Sequence, residues 1–268
     1  MQLRRPDCPP AQYILEASHI SVTFASIQGA LGALLDVSFQ ATKGEFVCFV
    51  GPSGCGKSTL LRVLGGLLPP TSGIVHLHGT PLLEPSQEIG LVFQNANLMP
   101  WRSVLKNVTL PLEIRGIELS SARREAAELI QLVGLTGFEH SYPHELSGGM
   151  AQRVSIARAL IHNPEVLLLD EPFGSLDALT RERMNLELLR IWEAQHKTVI
   201  MVTHSIQEAI MLSDRVMVMT ARPGQIVTQE VVTLPRPRSE DMVYSDAFVD
   251  LARRIREIIE QETNEEVE

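Results

Sequence analysis

The run Gly51-Pro52-Ser53-Gly54-Cys55-Gly56-Lys57-Ser58-Thr59 constrains this chain more than any other feature. An apolar segment, Glu45-Phe46-Val47-Cys48-Phe49-Val50, stands before it. After it, Thr59-Leu60-Leu61-Arg62-Val63-Leu64 spaces its apolar residues as a helix does. This is the pattern G-x-x-x-x-G-K-[ST] in the setting it requires, with a buried strand before it and a helix after it. Glycines let successive backbone N–H groups point inward at an anion, and the positive end of the new helix adds to the field. Lys57 is placed to reach the β- and γ-phosphates of a nucleotide, and the Ser58 hydroxyl to ligate Mg²⁺. A chance Gly-rich turn would lack these flanks, so the loop predicts nucleotide binding.

Composition narrows the class. With 268 residues the chain is long enough for a substantial core, in one large domain or two small ones. Its 44% hydrophobic and 21% charged residues are those of a folded soluble protein. A formal net charge of −9 argues against a nucleic-acid surface, which needs clustered Lys and Arg. Much of that charge is terminal: Glu257, Glu260, Glu262, Glu265, Glu266 and Glu268 read as part of a solvated tail. Cys8, Cys48 and Cys55 follow no pairing or metal-ligand spacing, which fits a reducing compartment. Cys55 reads as a small residue that fits its loop, in preference to a reactive thiol. No stretch approaches the roughly 20 apolar residues of a membrane span, and Met1-Gln2-Leu3-Arg4-Arg5-Pro6 lacks the apolar core of a secretory signal.

Residues 1–12, polar and Pro-rich, predict a loose arm. Tyr13 to Gln40 reads as strands with short turns, one of them marked by Gly29 and Gly32. The helix opened by the glycine loop ends near Gly65-Gly66, and Gly73 to Gly79 alternates like an edge strand. There, His76 and His78 are expected on one strand face, as exposed polar positions without a third metal ligand. Ile89 to Phe93 predicts another buried strand, ending at Gln94. From about 95 to 161 the period changes from two to 3.6. Ala126, Leu129, Ile130 and Val133 make one helix face closed by Gly134, and Ser147 caps a second helix bearing Val154, Ala157, Leu160 and Ile161. This block reads as a helical insertion. Val166-Leu167-Leu168-Leu169 then has the unbroken apolar run of a central parallel strand. A helix over 180–192, a strand over 198–202, a short helix over 206–211 and strands over 216–219 and 224–227 follow. Leu234-Pro235-Arg236-Pro237-Arg238 reads as a stiff linker. Phe248, Leu251, Ala252, Ile255, Ile258 and Ile259 form the apolar stripe of a terminal helix, expected to pack on its own domain.

Two further stretches carry chemistry. Asp170 and Glu171 end the apolar strand, where a carboxylate faces the ligand crevice of an open α/β sheet. Asp170 is suited to hold Mg²⁺, and Glu171 to accept a proton from the attacking water or to polarise it. Leu146-Ser147-Gly148-Gly149-Met150-Ala151-Gln152-Arg153 makes a second helix end able to bind an anion. One nucleotide does not need two such ends, so the second is expected to face a nucleotide held by another copy.

The order of glycine loop, Gln94, Leu146-Ser-Gly-Gly, Leu167-Leu-Leu-Asp170-Glu171, Ser175-Leu-Asp177 and His204 resembles the ATP-binding subunits of ABC transporters, over about residues 13–238. The resemblance implies an α/β fold: a RecA-like P-loop NTPase core with an antiparallel β part and an inserted α-helical subdomain. Residues 239–268 are left as a terminal helix and acidic tail. It implies ATP and Mg²⁺ as cofactors, with Gly51, Pro52, Ser53, Gly54, Cys55, Gly56, Lys57, Ser58 and Thr59 around the phosphates. It also implies two subunits head to tail, each closing the other's ATP site with Ser147, Gly148 and Gly149. Phe24 resembles the aromatic that stacks on adenine, with a core aromatic as the alternative. Gln94 looks like the residue that touches Mg²⁺ and the attacking water. His204 resembles the switch histidine at the γ-phosphate, and Asp177 the residue that couples the two sites. Met150 and Ala151 depart from the commoner form of the signature helix.

A narrower resemblance rests on Val92-Phe-Gln-Asn-Ala-Asn-Leu-Met-Pro-Trp101, Tyr142-Pro-His-Glu-Leu-Ser147, Ala221-Arg-Pro-Gly-Gln-Ile226 and Leu234-Pro-Arg-Pro-Arg238. These look like the nitrate/sulfonate/taurine group of importers. The implied function is ATP hydrolysis driving uptake of a small anion through a transmembrane permease fed by an external solute-binding protein, from the cytoplasmic face of the membrane. Leu98, Met99, Pro100 and Trp101 would lie where the family docks a permease helix, and core packing of Trp101 is the competing reading. The alternatives are an ATPase of a lipid or efflux system, one acting on nucleic acid or ribosomes, and a nucleotide sensor without turnover. An intact Glu171 and His204 weigh against the last. A single ATPase unit without a coiled-coil insertion weighs against the second.

Overall fold

A computed structural model describes residues 13–26, 29–174 and 176–264. The expected N-terminal arm, residues 27–28 of the first turn, Ser175 and the last four residues of the acidic tail lie outside the described residues. In chain order the elements begin with β1 (Tyr13–Ser26), β2 (Gly29–Thr42), β3 (Phe46–Val50), α1 (Lys57–Leu64), β4 (Ser72–Leu77), β5 (Thr80–Pro81) and β6 (Ile89–Val92). Four helices follow, α2 (Val104–Val108), α3 (Leu110–Ile114), α4 (Leu119–Leu132) and α5 (Gly148–Leu160). The chain then continues through β7 (Val166–Asp170), α6 (Ala178–Gln195), β8 (Thr198–Thr203), α7 (Ile206–Leu212), β9 (Arg215–Met219), β10 (Ile226–Val231) and α8 (Asp246–Asn264).

Two sheets organise these elements. One is antiparallel, in the order β2-β1-β4-β5; the other runs β10-β9-β3-β8-β7-β6. In the second sheet β9, β3, β8, β7 and β6 are parallel and only the edge strand β10 is antiparallel. Its inner strands are apolar without interruption because both faces are covered. Alternate residues divide between two cores. Phe46, Cys48, Val50, Leu167 and Leu169 pack with the helices α2 to α8, while Val47, Phe49, Val166 and Leu168 pack with α1 and the antiparallel sheet. The order β3-β8-β7-β6 also decides where the chemistry lies. It lines up the glycine loop after β3, His204 after β8, Asp170 and Glu171 at the end of β7, and Gln94 after β6 along one carboxyl edge.

Local signals account for the helix ends. Ser147 caps α5 by accepting from the Met150 N–H at 3.3 Å, and Asp177 caps α6 by accepting from the Thr180 N–H at 3.0 Å. Ser103 caps α2, a helix that the alternation of apolar residues did not reveal because it is only five residues long. Gly134 closes the turn after α4 in the left-handed region at φ 68°.

Several expectations are corrected. Gly32 lies inside β2, away from any turn. Strand β4 ends at Leu77, and His78 sits in the following turn at φ 50°, so His76 and His78 do not share a strand face. The last strand begins at Ile226, not at Gly224. The segment 234–238 is no free linker. Arg236 donates to Leu212 O at 3.0 Å and to Asp214 Oδ1 at 2.8 Å, with its guanidinium 4.1 Å above the Trp192 ring. Buried Arg238 donates to Ile210 O and Met211 O at 2.8 and 2.9 Å. These carbonyls belong to the last turn of α7, where backbone acceptors lack intrahelical partners and carry negative potential. Two prolines leave the strap few donors of its own, and its arginines supply them.

Candidate active site

The glycine loop closes on itself around its lysine. Gly54 and Gly56 take φ 81° and 102°, a region open to glycine and strained for other residues. A Cβ at Gly56 would lie 2.5 Å from Ala33 O. Lys57, the first residue of α1, is buried, and its ammonium donates to Gly51 O and Pro52 O, each at 2.8 Å. Cys55 beside it is buried, and that burial pushes its thiol pKa up, against the lowering effect of the Lys57 charge. An inert small residue is what these surroundings make of it.

A cavity of about 200 Å³ opens over this loop. It is lined by Phe24, Leu31, Ala33, Gly54, Gly56, Lys57, Ser58, Thr59, Glu171 and Arg222. Phe24 is 40% exposed, so it is not a core aromatic. Its ring and Leu31 form an apolar wall at one end, and the loop and its cations form the other. The shape suits a flat apolar group joined to an anionic one.

Next to the cavity, Ser58 Oγ donates to Asp170 Oδ1 at 2.8 Å. Burial holds the Asp170 carboxyl above its usual range, opposed by that hydrogen bond. A hydroxyl and a carboxylate this close form the hard oxygen pair that suits Mg²⁺. Glu171 follows at φ 41°, outside the regions that non-glycine residues favour, which turns its side chain from the strand's path toward β8. Its Oε2 lies 3.0 Å from His204 Nδ1. Gln94 Nε2 and Glu171 Oε2 lie 3.5 and 3.4 Å from one point, the Cβ position that Gly174 leaves empty. Arg158 fixes the chain beyond Gln94 by donating to Ala96 O and Asn97 O at 2.7 and 2.8 Å.

Lys57, Ser58, Asp170, Glu171, His204 and Gln94 are thus brought to one edge of the sheet. Ser147, Gly148 and Asp177 are exposed and do not line the cavity of their own chain. Gly148 and Gly149 instead lie against Leu176 and Thr180, so the cap of α5 and the start of α6 form one outward-facing ridge.

Comparison with known proteins resolves what this arrangement belongs to. The ABC transporter family profile matches residues 34–174. The chain belongs to the ABC transporter family. It is 47% identical over 231 residues to the nitrate import ATP-binding protein NrtD of Synechococcus elongatus, covering 85% of this chain and 84% of the relative. It is 46% identical over 220 residues to the taurine import ATP-binding protein TauB of Burkholderia pseudomallei, covering 82% and 85%. A solved dimeric ATP-binding cassette, in a post-hydrolysis state bound to ADP and Pi, is 33% identical with a TM-score of 0.72 over 82% of this chain and 100% of that one.

Within this ATPase fold, three features escape a reading by motif. Arg222 lines the cavity and donates through Nε to Gly54 O at 3.2 Å. Gly224 admits the glycine loop at close range, since a Cβ there would lie 2.0 Å from Cys55 O. Both fall in the stretch Ala221-Arg-Pro-Gly-Gln, whose two breaking residues were the available signal. Trp101 is 72% exposed and rims a cavity with Arg102, Lys106 and His140, so core packing of this residue is ruled out.

Proposed function

We propose that this ATPase subunit powers an importer for a small anion of the nitrate, sulfonate or taurine type. The observation that carries the catalytic part is the placing of Ser58–Asp170 and Glu171–His204 side by side at the end of the glycine loop. In this reading Gly51 to Thr59 and Lys57 cradle the phosphates of ATP, and Phe24 and Leu31 receive the base. Ser58 and Asp170, with Gln94 beside them, hold Mg²⁺, which neutralises charge on the phosphates when bound. Glu171 orients the attacking water and takes up its proton, and His204 steadies the Glu171 carboxylate and meets the γ-phosphate. The exposed Ser147-Gly148-Gly149 helix end supplies donors to the nucleotide of a second copy. Asp177, at the start of α6, couples the two sites.

The solute class rests on the names of the relatives at 46–47% identity, which are import proteins for nitrate and for taurine, itself a sulfonate. No helix among the described residues is long and apolar enough to cross a membrane, so the solute path belongs to a partner. We assign docking of that permease, at the cytoplasmic face, to the exposed Trp101 and the residues around it; an external solute-binding protein completes the system. Residues 13–238 act as the ATPase domain, with 95–161 as its helical subdomain and 239–268 as an appended helix and tail.

The test is co-purification with the membrane protein encoded beside it, followed by ATP-driven uptake of nitrate, taurine or an alkanesulfonate into vesicles. Uptake of one of these anions is expected. Transport of lipid, or outward movement of solute, would overturn the reading. Trp101→Ala is expected to impair assembly and permease-stimulated hydrolysis, and normal values for both would remove the docking role.

A further inference from the structure

A second cavity, of about 370 Å³, lies between the start of α6, the segment 205–211 and the turn around residues 240–244. Its walls hold three polar atoms that the fold leaves without a hydrogen-bond partner: Arg181 Nε, Asn185 Oδ1 and Glu208 Oε1. The Glu208 side chain is 5% exposed and Asn185 is 7% exposed. Arg181 Nε and Glu208 Oε1 stand 3.7 Å apart, an ion pair too long for a hydrogen bond. Buried polar atoms are almost always satisfied, and three open valences on one cavity require an occupant that supplies their partners. The open set is one cationic donor and two acceptors, one of them a carboxylate. Carboxylates of Glu182, Glu240 and Asp241 add to the negative side, and Leu186, Met211, Val243 and Tyr244 supply apolar wall.

We propose that this cavity binds a small zwitterion, with its ammonium group on Glu208 Oε1 and Asn185 Oδ1 and its acid group on Arg181. An ammonium has three donors and no acceptor, so it can satisfy both acceptors at once, while an anionic oxygen takes the remaining N–H. The site also has a route to hydrolysis. Thr203 Oγ1 bonds Glu208 Oε2 at 2.5 Å and accepts from Ser205 N at 3.0 Å, so the turn that carries His204 is tied to the cavity wall. On the other side, Arg181 Nη2 donates to Leu176 O at 2.9 Å, in the loop before Asp177. An occupant that draws Arg181 and Glu208 toward itself therefore pulls on both turns.

The proposal does not depend on which solute the transporter carries, and its test uses the full chain. Taurine and β-alanine serve as zwitterion probes. Isethionate, which has a hydroxyl in place of the ammonium, is the control. In titration calorimetry and thermal melts, taurine and β-alanine are expected to bind saturably and to raise the Tm by about 2–4 °C at millimolar concentration. Isethionate should not. Asn185→Leu, close in volume, should abolish the shift while leaving affinity for a fluorescent ATP analogue unchanged. Glu208→Gln, which can keep the Thr203 contact, should weaken taurine by about tenfold or more. Equal shifts with isethionate would reveal a general anion effect and overturn the site. Binding retained in Asn185→Leu would place it elsewhere. No saturable binding of either zwitterion would mean that the cavity holds ordered water alone.

Discussion

His204 Nδ1 lies 3.0 Å from Glu171 Oε2, and the two residues come from the ends of neighbouring parallel strands 33 positions apart in sequence. The Glu171 side chain is 19% exposed and that of His204 45% exposed, so the histidine covers the carboxylate on its solvent side. A carboxylate held in this way has one oxygen anchored and the other available for a water, the arrangement a general base needs.

Glu171→Gln keeps the shape and removes the base. Steady-state ATPase assays with the permease present should show kcat reduced by about 10²–10⁴, while ATP affinity stays within a few-fold of wild type. Undiminished turnover would rule out the assigned role.

Asp170 gives a pH-dependent outcome. Burial raises its folded-state pKa, so between the unfolded and folded values the native state holds a proton that the unfolded state has released. Stability from this group is therefore complete at acid pH and lost as the pH rises through the carboxylate range. In metal-free protein, Asp170→Asn should melt about 1–3 °C above wild type at neutral pH, with the gap narrowing as the pH falls. The same variant should lose Mg²⁺-dependent hydrolysis. A variant that melts below wild type at neutral pH would refute the argument.

Gly224 sits where any side chain must collide with the glycine loop, its Cβ position being 2.0 Å from Cys55 O. Its backbone also bonds Ala33 O and Leu35 N, each at 3.0 Å, so it cannot retreat without breaking its link to β2. Gly224→Ala should destabilise the fold by about 1–3 kcal/mol and weaken ATP binding together. Chemical denaturation and nucleotide titration would measure the two effects, and unchanged affinity would contradict the coupling.

Arg238→Ala should cost about 2–3 kcal/mol, because it strips two charge-assisted hydrogen bonds from the buried end of α7. The expected loss of Tm is several degrees, read by calorimetry, with ATP affinity little changed. A surface-like effect below about 0.5 kcal/mol would mean that the strap is the linker its prolines suggest.

Much of this fold could be read from the chain because its signals are local. The glycine loop with its two flanks, the unbroken run Val166 to Leu169 and the caps Ser147 and Asp177 each depend on residues within a few positions of one another. Backbone geometry and hydrogen-bond supply dictate their outcome over that range. His76 and His78 misled because strict alternation says nothing of where a strand stops. The strap was misread because the acceptors that hold Arg236 and Arg238 lie more than twenty residues away.

Taken alone, the sequence determined that the chain cradles phosphate, places a carboxylate pair at the end of a buried strand and carries a second glycine-rich helix start. Tertiary structure alone decided that β3, β8, β7 and β6 lie in that order, bringing Ser58 to Asp170 and Glu171 to His204, and that Phe24, Arg222 and Gly224 close around the loop. It also placed Arg181, Asn185 and Glu208 on one cavity with their valences open. The physical reason is that strand order and cavity walls are set by packing between distant segments, and residues far apart in the chain carry no local mark of the partner they will meet.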